Sequence, residues 1–148
     1  MTGKKIITIF LCIVVLIFGL VWFCQTRTVA LGSQLPEEKW TGIELEKMQP
    51  TEPDGDVCYG DVPMEDVLYQ MQILRVSRSK EVALGTDACF RITLYKEDAW
   101  PRVLYIKSTG EVHLARDMQI DDWQYYKGAE ALYLYLTNLS RTLPVVSK

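Results

Sequence analysis

Two cysteines and one histidine are the residues of this chain best suited to nucleophilic or acid–base chemistry. Cys58 and Cys89 are the only cysteines beyond residue 30, and His113 is the only histidine. A surface thiol hydrolase or transpeptidase would need Cys89 beside His113 as its base, with Arg91 or Arg116 close by. No local signature surrounds Cys89, and the same thiol has a second use. Cys58 and Cys89 are an even pair, and bridging them closes a loop of about 30 residues, stabilising a small domain by roughly 3–4 kcal/mol. The expectation is a Cys58–Cys89 disulfide and no catalytic residue; catalysis by Cys89 and His113 is the alternative. His113 falls between Val112 and Leu114 in an alternating run, which places it on the solvent or helix-distal face opposite those two apolar residues and reads as an exposed strand histidine.

Metal chemistry finds little support. Glu52, Asp54 and Asp56 alternate like the oxygens of a calcium loop, but Val57 and Pro63 stand where such a loop needs a glycine and an acid. The run reads as a solvated turn, as does Asp121-Asp122. One histidine and no closely spaced cysteine pair cannot build a zinc site. Gly85 stands alone, without the further glycines of a phosphate loop. No cofactor and no metal are expected.

Surface chemistry is richer. Arg75, Arg78 and Lys80 cluster at the end of a strand-like run, a charge pattern suited to an anion or to solvent. Trp100, Trp123, Tyr125, Tyr126, Tyr133 and Tyr135 crowd the C-terminal half. Most of these rings serve a small core. Trp100, Tyr125 and Tyr135, with Arg75 and Arg78, are the candidate contact patch, Tyr135 falling off the buried helical stripe and expected beside Tyr125 or Trp123.

The elements that must position these residues divide the chain by charge. Residues 1–30 contain no acid, while residues 31–148 hold all 19 Asp and Glu. Lys4 and Lys5 precede Ile6–Cys24, an uncharged run of nineteen residues, fourteen of them Leu, Ile, Val or Phe. As a helix this run spans roughly 28 Å, close to a bilayer's hydrocarbon core. The two lysines favour a cytoplasmic N-terminus of residues 1–5, making residues 6–24 a single-pass signal anchor with the rest outside the cell membrane. Cleavage near Ala30 would instead release a secreted domain; the length of the run favours the anchor.

Residues 31–66 carry ten acids against two lysines, whereas residues 67–148 carry nine acids against eleven Lys and Arg. The acidic stretch also holds Pro36, Pro50, Pro53 and Pro63, so residues 25–62 read as an extended tether, with Trp40, Ile43 and Leu45 able to dock a short strand. Residues 63–148 read as a small extracytoplasmic α+β domain. One helical turn opens Met64–Met71, and Met71–Ser77 reads as a strand. Cys89–Tyr95 alternates, Arg102–Lys107 and Glu111–Ala115 flank a Ser108-Thr109-Gly110 turn, and Trp123–Tyr126 adds an edge strand. Ala129, Leu132, Tyr133, Leu136 and Leu139 give the stripe of a helix over Ala129–Arg141. The expected fold is an antiparallel meander of three to five strands with this helix over one face.

The chain therefore reads as a membrane-anchored, non-catalytic interaction or ligand-binding module, its partner a protein or an envelope polymer and not nucleic acid. A small subunit of a membrane complex, working through a transmembrane helix that Gly19 lets approach closely, is a further alternative.

Overall fold

A computed structural model describes residues 3–35, 39–49, 51–52, 55–81, 83–115 and 123–146. Asp54, Arg116 and the Asp121-Asp122 pair lie outside the described residues. Helix α1 runs Gly3–Thr26, and its stretch Lys5–Cys24 is long and apolar enough to cross a membrane, with none of it buried against the rest of the chain.

The remainder is α+β, but with nine antiparallel strands among the described residues rather than three to five. In chain order they are β1 (Thr28–Ala30), β2 (Gly42–Met48), β3 (Val57–Tyr59), β4 (Arg75–Arg78), β5 (Cys89–Tyr95), β6 (Arg102–Lys107), β7 (Val112–Ala115), β8 (Trp123–Lys127) and β9 (Val145–Val146). Helix α2 (Met64–Ile73) lies between β3 and β4, and α3 (Glu130–Ser140) between β8 and β9. Across the sheet the order is β1-β4-β8-β7-β6-β5-β2-β3-β9. The β5-β6-β7-β8 meander is as expected, yet β8 is interior, joined on its other side by β4.

Two corrections have physical causes. The segment read as a tether, residues 25–62, contributes three strands. Only Arg27 separates α1 from β1, and β2 is paired over its whole length with β5. In Gly42–Met48 the glutamates alternate with Ile43, Leu45 and Lys47, so one face of β2 joins the core while Glu44 and Glu46 take the other. Net charge concealed that period. Second, α2 continues to Ile73, where a strand from Met71 was expected. Val67 and Met71, four residues apart, are both fully buried on one helical face, and Glu65 and Asp66 favour the first turn.

The core lies on one face of the sheet. Leu45, Phe90, Ile92, Leu94, Leu104, Ile106, Val112 and Leu114 meet Leu132 and Leu136 of α3, Val67 and Met71 of α2, and Leu31 of a short 3-10 turn at Leu31–Gln34. Tyr133 joins the stripe as expected, its ring 5.3 Å from that of Phe90. At roughly 1.5–3 kcal/mol for each fully buried large side chain, this face is the main source of stability. Both packed helices lie on it, so that among the described residues the opposite face of the sheet carries no helix.

Candidate groove on the helix-free face

Strand pairing sets one row of side chains across the helix-free face. Val146 of β9 stands opposite Cys58 of β3, and Cys58 opposite Glu46 of β2. Glu46 then stands opposite Arg91 of β5, Arg91 opposite Tyr105 of β6, Tyr105 opposite His113 of β7, and His113 opposite Tyr125 of β8. Seven strands thus contribute one residue each to a row that is almost wholly polar.

The row has two halves. At the β8 end it is covered by the connection between β4 and β5. The Ser79 N–H donates to the Tyr125 carbonyl at 2.9 Å, Lys107 Nζ donates to the Ala83 carbonyl at 3.3 Å, and the Ser108 N–H donates to the Ala88 carbonyl at 3.2 Å. Residues 79–81 and 83–88 therefore strap the face from β8 to β5. Under the strap Lys107 pairs with Glu111 at 2.7 Å and Asp87 at 3.3 Å. The hydrogen bond and charge of Lys107 hold the Glu111 carboxyl below its ordinary range, and Glu111 in turn raises Lys107. His113 is only 4% exposed, with the Tyr125 ring edge-on at 4.9 Å and no hydrogen-bond partner for Nε2 among the described residues. Burial, then the nearby Lys107 charge, pushes its pKa down.

At the β9 end the row is open. Glu44, Glu46, Cys58, Arg91, Thr93 and Val146 surround a cavity of about 280 Å³, with Leu45 and Tyr59 completing it. Cavities that take small molecules run roughly 300–1,000 Å³, so this one suits a side chain or a small ligand. Glu46 is 4% exposed and ion-paired with Arg91. Its Oε1 accepts a hydrogen bond from the Cys58 thiol at 3.5 Å, and the Tyr95 hydroxyl donates to Glu44 Oε2 at 2.7 Å. Burial opposes the Arg91 charge, but Glu46 outweighs it, aided by a hydrogen bond with Tyr105, so Arg91 is held firmly protonated. Two carboxylates against one guanidinium leave these walls with a formal charge of −1.

Cys58 and Cys89 are not bridged. The expected disulfide is corrected by register: Cys58 pairs with Glu46 and Cys89 with Met48, so the cysteines share a face but β2 lies between them. Two strand spacings and a two-residue offset place their Cα atoms about 12 Å apart, where a disulfide needs less than about 7 Å. The same arithmetic separates the alternative dyad. Cys89 pairs with Lys107 and His113 with Tyr105, again two strands and two residues apart, far beyond the roughly 3 Å reach of a base to its nucleophile. Burial first, then Asp56, also raises the Cys89 thiol.

The sequence-derived contact patch is dispersed. Trp100 is 69% exposed in the β5–β6 connection. Tyr125 is half-buried in the polar row, whereas Tyr135 is half-buried on α3 against the core, on the opposite side of the sheet and not beside Tyr125 or Trp123. Trp123 stacks instead on Tyr105 at 5.8 Å. Arg75 and Arg78 lie exposed on β4. Sequence reasoning passed over Glu44, Glu46 and Thr93 as site residues. Their signal was present in the alternation of Glu44 and Glu46 with Ile43 and Leu45, which marks a strand with two acids on one face.

Comparison with protein-family models, curated proteins and solved structures finds no match. The groove must be read from its own chemistry.

Proposed function

We propose that the chain is a membrane-anchored, extracytoplasmic ligand-binding module without catalytic activity of its own. In this reading α1 is retained in the cell membrane with its N-terminus in the cytoplasm, and the sheet domain presents the open groove to a partner outside. The observation that carries the reading is the buried Glu46 facing Arg91 in the wall of a cavity that no helix covers. Taking the Glu46 carboxylate out of water costs several kcal/mol before pairing with the partly exposed Arg91 repays it, and an apolar pair would serve a sheet at least as well. We read this pair as retained to specify a contact.

The formal −1 of the walls, beside apolar surface from Val146, suits a basic group on an aliphatic stem, such as a lysine or arginine side chain of a partner protein. The test is in-cell photo-crosslinking from the full-length chain, with the crosslinking residue at position 146, which keeps the charges of the walls, or at position 100. Capture of one partner from position 146 and not from position 100 is expected. A partner captured from position 100 alone would move the site to the β5–β6 connection and contradict the reading.

A further inference from the structure

The sheet is electrically polarised along its strand order. Residues 27–35, 75–81 and 123–129, which build β1, β4 and β8 and their flanks, contain Arg27, Arg75, Arg78, Lys80 and Lys127 against Glu81 alone, a net of +4. All five basic side chains are exposed. Toward the other edge, the described residues of 42–61 hold Glu44, Glu46, Glu52, Asp56 and Asp61 against Lys47 alone, a net of −4.

The basic edge is also the edge attached to α1. With Arg27 the single residue between helix and strand, Thr28 follows two residues after Thr26 and lies within about 7 Å of the helix end. Register then carries the position sideways: Thr28 stands opposite Ser77, and Ser77 opposite Lys127, so β8 is only about 10 Å from β1. Arg75 is tied to the same edge, its guanidinium donating to the Thr28 carbonyl at 3.1 Å. If α1 spans a bilayer, these five cations sit at its headgroup level, and the acidic edge is directed away.

We propose that the β1–β4–β8 edge is a docking surface for anionic lipid headgroups of the membrane that α1 spans. The inference rests on the anchor reading of α1. It adds that the domain lies down on the bilayer by its basic edge and is not free to swing, which turns the acidic groove at the β9 end outward. Each basic residue close to an anionic surface shifts such a docking equilibrium about fivefold, and salt screens the effect within about 10 Å at 0.1 M.

Hydrogen exchange on the full-length protein in nanodiscs tests this. Phosphatidylcholine discs are compared with discs that also contain phosphatidylglycerol, at low and high salt. Slower exchange of residues 28–35 and 75–81 is expected only in anionic discs at low salt, with residues 55–61 unchanged. Arg78→Gln, Lys80→Gln and Lys127→Gln together should lower the docked fraction about a hundredfold and abolish the difference. The same charge loss at Lys39, Arg102 and Arg141 should leave it intact. Equal exchange in both lipids overturns the proposal, and so does slowing that inorganic phosphate reverses at matched ionic strength, which would assign the edge to a soluble anion. Co-flotation with neutral vesicles at high salt reports insertion of α1 independently, so failure of the anchor reading and failure of docking are told apart.

Discussion

Glu46 and Arg91 face one another across β2 and β5, in register and ion-paired, on the side of the sheet that carries no helix. Glu46 is far the more buried partner, its side chain 5% exposed against 31% for Arg91. Removing the guanidinium therefore strands a carboxylate in a poorly solvated wall, whereas removing the carboxylate leaves a guanidinium that can still reach water. Arg91→Met is expected to destabilise the fold by about 1–3 kcal/mol, and Glu46→Gln by less. Denaturant midpoints of the two variants check the order.

Cys58 and Cys89 answer to a reductant in a defined way. Because the register holds Cys58 and Cys89 apart, dithiothreitol should shift the thermal midpoint by less than about 1 °C. A bridge contributing roughly 3–4 kcal/mol would be worth more than about 10 °C in a domain of this size. A large drop on reduction would show that the β3–β2–β5 register is not the one described.

His113 makes stability sensitive to acid. Its ordinary pKa is 6.5, and in the fold burial and Lys107 hold it lower. The unfolded chain therefore takes up a proton that the folded chain refuses, so stability present above 6.5 is lost as the pH falls from 6.5 toward the depressed folded value. Glu111, lowered by Lys107, acts in the same direction in the more acidic carboxylate range, its contribution lost as pH falls below 4.5 toward its own folded pKa. His113→Phe should remove the first loss while keeping the second. Unfolding midpoints between about pH 7.5 and pH 5.5 resolve it, and a wild-type midpoint unchanged over that range would contradict the buried, neutral imidazole.

The turn at Ser108-Thr109-Gly110 depends on its glycine. Gly110 has φ +83°, and a Cβ there would run into the side chain of Glu130 at the start of α3. Gly110→Ala is expected to cost about 1–3 kcal/mol, from strain in the left-handed region and displacement of Glu130. Equilibrium unfolding measures it.

Legibility in the sequence followed the length and regularity of each element. The long apolar run, the β5 alternation, the β6–β7 turn and the α3 stripe each repeat one period often enough to be read directly. The three-residue strands β1 and β3 and the two-residue β9 do not: each is too short to show a period, and β1 with β4 and β3 with β9 pair only across long stretches of sequence. The groove was hidden for a related reason. Glu44 and Glu46 look like part of an acidic, proline-containing segment until β5 supplies Thr93 and Arg91 opposite them. His113 lies on the expected face but is buried where exposure was expected, because residues 79–81 and 83–88, which have no periodic signal, cover it.

The central claim is that Glu46 and Arg91 are kept for a ligand and not for the fold. The most direct test replaces both with methionine and compares stability and photo-crosslinking from position 146 in the same chain. An apolar pair of similar volume should leave the unfolding free energy within about 1 kcal/mol of the original or raise it, while capture from position 146 is lost. Capture that persists undiminished in the stable double variant would contradict the claim.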